Sequence, residues 1–296
     1  RPGVGDQSRR WGARWTAPDG KTTESAYFCS TNRNKRSLTL NIQSPAGKEV
    51  LQSLLARADV LICNVPRSDS LRRAGLDPDE LRARYPRLIY AYISGYGRTG
   101  PYAGRSGYDL VAQGESGLMS ITGTAETVPM RFPIPLADMT TGMYSVIGIL
   151  TALRARDLTG QGQFLDVSLR EAETAYMGIV AGDYFATGAE PRPVGNAHPS
   201  IVPYQVFRTA DREVIIAVGS DKQWAQFCAV LGLGAELRDD PRYATNPARL
   251  SNRNELVPIL QAKLEKLPSG ALLEQLLPQL QQAPPKRVPP QQGWPE

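Results

Sequence analysis

Asp138 lies in the run Pro135-Leu136-Ala137-Asp138-Met139-Thr140-Thr141-Gly142, just where an apolar helical repeat begins. An aspartate before a helix is an ordinary N-cap, a structural device worth about 1 kcal/mol. The same place also suits an anion with chemistry to do. The free N–H groups and macrodipole of a helix start stabilise negative charge, on a carboxylate or on an oxyanion formed beside it. A carboxylate is among the few side chains able to attack an acyl group, hold it as an anhydride and pass it on. Local sequence leaves both roles open.

The elements that must carry Asp138 are legible from periodicity. Ser44-Pro45 reads as an N-cap with proline at the first helical position, and Val50, Leu51, Leu54, Leu55 and Ala58 follow on one helical face. Val60-Leu61-Ile62-Cys63 is a short buried strand. Asp77-Pro78-Asp79-Glu80 opens a second helix with capping-box chemistry, and Leu88 to Ile93 forms another strand. A long helix is expected from Asp138, with Met143, Val146, Ile147, Leu150 and Leu153 in register and Gly160 as its stop. A strand at 164–167 and a helix at 170–187 complete the alternation. Such alternation predicts an α/β fold, a Rossmann-like parallel sheet whose ligands sit at the carboxyl ends of the strands, here after Ile62 and Ile93. After Gly195 the pattern changes to a hairpin, 204–208 with 213–218, and amphipathic helices near 221–231, 251–266 and 269–277. The expected domains are therefore a large one at 1–190 and a smaller α+β one at 191–277. A Pro/Gln-rich stretch, 278–296, has too few large apolar residues to fold and is expected to be disordered.

Composition narrows the function classes. The 296 residues are 41% hydrophobic and 21% charged, enough for an ordinary core. No unbroken apolar run spans a bilayer, and the first residues carry no targeting segment, so no membrane association is expected. Cys29, Cys63 and Cys228 lack CxxC spacing, which argues against a disulfide framework or a metal site and fits mitochondrial matrix or cytoplasm. The net charge of +5 comes from scattered basic residues, which suits an anionic small molecule better than nucleic acid. No Walker loop is present. His198, the single histidine, reads most simply as a structural hydrogen-bonding residue of a loop.

Several motifs occur in a telling order: Arg1-Pro2-Gly3-Val4-Gly5-Asp6, Asn32-Arg33-Asn34-Lys35-Arg36-Ser37, Ile93 to Pro101, Gly107-Tyr108-Asp109, the Asp138 run and Thr159-Gly160-Gln161-Gly162-Gln163. Together they resemble the class III coenzyme A transferases, a family that also holds the α-methylacyl-coenzyme A racemases. Within it the sequence looks most like the succinate–hydroxymethylglutarate type, through Gly117 to Gly123 and Ser200 to Gln205. The resemblance implies an interlocked-dimer fold, incomplete here, and an enzyme that moves coenzyme A from an acyl thioester such as succinyl-coenzyme A to a carboxylic, and by type a dicarboxylic, acid. Asp138 would be the nucleophile, working through an acyl anhydride and an aspartyl thioester. The partners implied are the two substrates and, in full-length form, a second copy; no metal or separate cofactor is called for.

Matched position by position, the resemblance assigns Arg1 to the coenzyme's nucleotide, Leu40 to adenine, Asn64, Val65 and Arg73 to pantetheine and phosphates, and Gly107, Tyr108 and Asp109 to the neighbourhood of the thioester. Arg73 can equally be a solvated charge beside a helix, and Asp109 a first-turn residue. Gly95, Gly97 and Gly100 read as a tight loop after a strand. Racemases carry a histidine base where this chain has Tyr108, so a racemase-like isomerase is the weaker alternative. Family chains have a strand and loop ahead of the Arg-Pro-Gly motif and continue past the small domain. An inactive fragment is accordingly a further expectation.

Overall fold

The computed structural model describes residues 5–65 and 68–280. A hairpin of β1 (Arg14–Thr16) and β2 (Thr23–Ser25) leads into α1 (Ala26–Thr31) and then α2 (Pro45–Leu55), β3 (Val60–Cys63), α3 (Ser68–Ala74), α4 (Pro78–Arg84) and β4 (Ile89–Ser94). Then come α5 (Asp109–Glu115), α6 (Leu118–Ile121), α7 (Leu136–Thr159), β5 (Phe164–Ser168), α8 (Leu169–Thr174) and α9 (Gly178–Thr187). The remaining elements are β6 (Tyr204–Arg208), β7 (Glu213–Ala217), α10 (Asp221–Val230), α11 (Gly234–Arg238), α12 (Asn246–Ser251), α13 (Arg253–Leu264) and α14 (Ser269–Leu280).

Two compact units result: 5–119 with Arg131–Ala189, and Ser120–Met130 with 190–280. The sequence reading assigned all of 1–190 to one domain, whereas Ser120–Met130 groups with the second unit. One contact responsible is the Gly195 N–H donating to Gly123 O at 2.7 Å. Helix α14 also runs three residues into the stretch expected to be disordered; 281–296 lie outside the described residues.

In the first unit β3, β4 and β5 form a parallel sheet with β4 in the middle, Val60 opposite Ile89 and Tyr90 opposite Phe164. Ile89, Tyr90, Ala91 and Tyr92 are all buried, as a central strand covered on both faces requires. The helices begin and end where the sequence supplies caps. The Ser44 hydroxyl accepts from Gly47 N ahead of α2, and the Asp77 carboxylate accepts from Asp79 N and Glu80 N ahead of α4. Gly160, at φ +74°, closes α7 in a left-handed conformation.

Helix α7 is 24 residues long, with mean hydropathy 1.3 over its most apolar window, long and apolar enough by composition to cross a bilayer. Thr, Ser and Gly interrupt its apolar residues, which is why no unbroken run marked it in the sequence. It packs on β4 and β5 of the sheet, and its Arg156 pairs with Asp59 at 3.0 Å while reaching Arg87 O at 3.1 Å.

The second unit is built on the antiparallel pair β6–β7, Tyr204 opposite Ala217. Phe207, Val214, Ile216, Trp224, Phe227, Leu256, Leu260 and Leu264 enter one continuous core with it. The alternation buried–exposed along β7 is what a strand with one solvated face shows.

Candidate active site

Strand geometry sets the site. Asn64 follows β3, Ser94 ends β4 and Leu169 follows β5, so the carboxyl ends of three parallel strands border one cavity of about 420 Å³. Asp138, Thr141, Arg105, Gly107 and Tyr108 also line it.

Asp138 is not the cap of its helix. Helix α7 starts two residues earlier, at Leu136, with Pro135 in the N-cap position and no side-chain cap from it. The missing acceptor comes from another helix. The Asp109 carboxylate, at the start of α5, accepts from Ala137 N at 2.8 Å and from Asp138 N at 3.4 Å through the same oxygen. One turn along α5, the fully buried Gln113 donates to the other Asp109 oxygen at 2.8 Å and accepts from Phe132 N at 2.7 Å. Asp109 and Gln113 thus clamp the chain entering α7. Below them the first three turns of the helix bury small or hydroxyl side chains, Ala137, Thr140, Thr141 and Ser145. The Thr141 hydroxyl donates back to Ala137 O at 2.6 Å, and the Thr140 hydroxyl donates to the Tyr176 hydroxyl oxygen at 3.0 Å.

The Asp138 carboxyl is held above its ordinary pKa, first because the surrounding walls strip water from the charged form and second because the Asp109 carboxylate repels it. Asp138 nevertheless stays open to solvent through the cavity. Its oxygens take no hydrogen bond or ion pair among the described residues. A carboxylate in these surroundings is set apart from one serving as a cap, whose oxygens are occupied.

Two glycines shape the wall. The backbones of Gly95 and Gly107 touch: a Cβ on Gly95 would stand 2.5 Å from Gly107 Cα, and one on Gly107 2.3 Å from Gly95 Cα. No side chain fits at either place. The loop after β4 is fixed further by Gly97 N donating to the Ser94 hydroxyl at 2.9 Å, Arg98 N to Asp166 at 2.8 Å and Arg170 N to Gly95 O at 3.1 Å.

Of the residues singled out in the sequence, Asn64, Gly95, Gly107, Tyr108 and Asp138 meet at this cavity. Leu40, Val65, Arg73 and Asp109 do not line it. Leu40 is half-buried. The Val65 side chain packs against the core around Leu71 and Tyr92, and its carbonyl accepts from the Tyr92 hydroxyl at 3.0 Å. Arg73 is exposed on α3 and donates to Ser70 at 3.2 Å, which is the solvated-charge alternative. Asp109 acts behind Asp138 as its clamp. Arg1 lies outside the described residues. Sequence reasoning missed Arg105, Ser106 and Thr141; the signal available was proximity, two residues ahead of Gly107 and one short of a turn beyond Asp138. His198 belongs to the second unit, where its Nδ1 accepts from Ser200 N at 3.0 Å and its ring lies 5.2 Å from that of Tyr204.

The family model for CoA-transferase family III matches residues 1–284. The chain belongs to CoA-transferase family III. It is 42% identical over 266 residues to a succinate–glutarate CoA-transferase of Agrobacterium fabrum, covering 90% of this chain and 66% of that protein. It is also 42% identical over 264 residues to a succinyl-CoA:glutarate CoA-transferase of Mus musculus, covering 89% of this chain and 59% of the other. Among solved structures, a CAIB/BAIF family protein from Brucella suis superposes with a TM-score of 0.78 at 40% identity, covering 92% of this chain and 71% of that one. The chain thus spans just under two thirds of the length of the first relative and about three fifths of the second. The parallel-sheet architecture of this CoA-transferase family member is that of the solved neighbour.

Proposed function

We propose that this chain carries the coenzyme A transfer chemistry of its family, taking coenzyme A from an acyl-coenzyme A such as succinyl-coenzyme A to a dicarboxylic acid, with Asp138 as nucleophile. The observation that carries the reading is the placement of the Asp138 carboxyl, unpartnered among the described residues, in the cavity at the carboxyl ends of β3, β4 and β5. The names of the succinate–glutarate relatives support the dicarboxylic class.

The relay is written in four displacements. A carboxylate oxygen of Asp138 attacks the donor thioester carbonyl; the C–S bond breaks, coenzyme A leaves as thiolate, and an aspartyl–acyl anhydride remains. The thiolate then attacks the aspartyl carbonyl of that anhydride, releasing the donor acid as a carboxylate and leaving an aspartyl thioester. An acceptor carboxylate attacks this thioester, expelling the thiolate and forming a second anhydride. Attack of the thiolate on the acceptor's carbonyl gives the new acyl-coenzyme A and restores Asp138. Carboxylate and thiolate charges balance at each stage, so no metal, redox cofactor or net proton transfer enters. The clamp from Asp109 holds the attacking group in place, and desolvation of the Asp138 carboxylate raises its basicity for the first step.

The racemase alternative needs a base opposite Asp138, and Tyr108 stands at the cavity where that histidine would be. A homodimer is part of the same proposal. Met139, Met143, Val146, Ile147 and Leu150 leave one side of α7 exposed and apolar, which supports a second copy as its cover. The test is transfer from succinyl-coenzyme A to glutarate. Asp138→Ala is expected to reduce it by about 10⁴-fold or more; near-normal turnover in the variant would remove Asp138 as the nucleophile.

A further inference from the structure

Among the described residues that line the cavity, Arg105 supplies the one cationic side chain and Asp138 the one anionic side chain. No salt bridge joins them. Arg105 makes no ion pair or side-chain hydrogen bond with any described residue, although the chain's other cavity-facing backbone is closely tied by Ser94, Asp166 and Gly95. Its guanidinium is positioned by stacking alone, 4.0 Å from the centroid of the Tyr102 ring, and Tyr102 is itself held edge-on against Tyr96 at 5.5 Å. Stacking occupies the face of a guanidinium and leaves its five N–H donors, which lie in the plane, open to a ligand. The Arg105 backbone is fixed as well, its N–H donating to Tyr102 O at 3.1 Å in a turn two residues ahead of the Gly95–Gly107 contact.

We propose that Arg105 is a specificity-determining residue that receives the distal carboxylate of a dicarboxylic acyl group or acceptor while the other end of the molecule reacts at Asp138. A guanidinium fork matches a carboxylate in a bidentate pair, and a pre-stacked fork loses little freedom on binding one. A monocarboxylate of the same length would leave Arg105 without a partner. The inference rests on the transfer reading for the chemical class of the ligand, but the carboxylate site itself can be read by binding without turnover.

The experiment measures binding of glutarate and of pentanoate, which differ by the distal carboxylate, to the 296-residue chain and its Arg105→Gln and Arg105→Lys variants by calorimetry. Desulfo-coenzyme A, which carries the coenzyme's phosphates, is the third probe. The wild type should bind glutarate at least about tenfold more tightly than pentanoate, R105Q should erase that preference, and R105K should recover part of it. Affinity for desulfo-coenzyme A should change by less than about twofold in either variant. No preference in the wild type, a preference that survives R105Q, or equal weakening of both acids would overturn the proposal. Weakening confined to desulfo-coenzyme A would overturn it too, assigning Arg105 to a phosphate. A glutarate preference that depends on Arg105, in a protein that moves no coenzyme A from succinyl-coenzyme A to glutarate, would instead sink the transfer reading and leave the carboxylate site standing.

Discussion

Two fully buried charged side chains, one in each unit, are treated in opposite ways. In the second, Arg249 is fully buried and well paired, donating to Val202 O at 2.7 Å, Tyr243 O at 2.9 Å and the Asp221 carboxylate at 2.8 Å, with Trp224 5.0 Å from its guanidinium. In the first, Glu173 on α8 is fully buried and neither carboxyl oxygen has a hydrogen-bond partner among the described residues. Burial, and after it the Asp109 carboxylate, push its pKa up. The cores differ in the same direction. Fifteen buried residues join one cluster in the second unit, while the longer first unit divides its core into clusters of nine and three and leaves Ile179 and Phe185 each 83% exposed. The lesson is that the second unit is organised around its own stability, whereas the unit bearing Asp138 keeps crowded carboxylates and open apolar faces around its cavity. Local rules are most often broken at functional sites.

The sharpest way to break this contrast is at the paired charge. Arg249→Met orphans two buried carbonyls and should cost the second unit about 3 kcal/mol, read as lost hydrogen-exchange protection in β6, β7 and α10 with β3–β5 unaffected. Loss of protection in β4 to the same degree would mean that the two units do not hold their stability separately. Next in size is Gly95→Ala. Its Cβ must push Gly107 away, at a cost of about 1–3 kcal/mol, and transfer activity should fall further than stability alone explains because Gly107 and Tyr108 line the cavity. Unchanged activity and melting temperature would show that the two backbones can separate freely.

Much of the frame for these residues was legible in the sequence, and the parts that were not share a physical cause. Strands β3, β4 and β5 and the caps at Ser44, Asp77 and Gly160 follow from local pattern and were read correctly to within a residue or two. The hairpin β1–β2 was missed because Arg14-Trp15-Thr16 and Thr23-Glu24-Ser25 have no buried alternating face; β1 is exposed throughout. The helix expected at 170–187 is instead α8, a short 3₁₀ turn at Ala175–Met177 and α9. Asp138 was placed at the cavity by its motif but was given the wrong place in its helix, since the acceptor capping α7 lies 28 residues earlier. No pattern within one helix reports that. Arg105 was passed over for a similar reason: a lone arginine in a polar loop is distinguished only by what it stacks on and what else lines the cavity.

Smaller effects probe the unpaired carboxyl and the clamp. The folded pKa of Glu173 is above its unfolded value, so the folded state binds the proton more readily and stability is lost as pH rises through the folded pKa. Glu173→Met should therefore stabilise the first unit by about 1 kcal/mol at neutral pH, with the advantage shrinking as the pH is lowered through the raised folded pKa toward the ordinary carboxyl value of about 4 and constant below it. A variant less stable than the wild type at pH 7 would show that Glu173 has a partner in solution. The smallest change is Asp109→Asn. The amide oxygen can still accept from Ala137 N, but the negative charge that raises the Asp138 pKa is gone. Stability should fall by about 1 kcal/mol, because the new amide's NH2 faces the NH2 of the buried Gln113, and the acid limb of the pH–rate profile should move to lower pH. A limb that stays in place would separate Asp109 from the titration of Asp138.

The most direct measurement is to incubate the 296-residue chain with succinyl-coenzyme A, trap with hydroxylamine and locate the modified residue by peptide mass spectrometry. An aspartyl hydroxamate on Asp138, absent without the thioester and absent in Asp138→Ala, is the expected result. Modification at another carboxyl, or at none across a panel of acyl donors, would contradict the assignment of Asp138 as the residue that carries the acyl group and then the coenzyme.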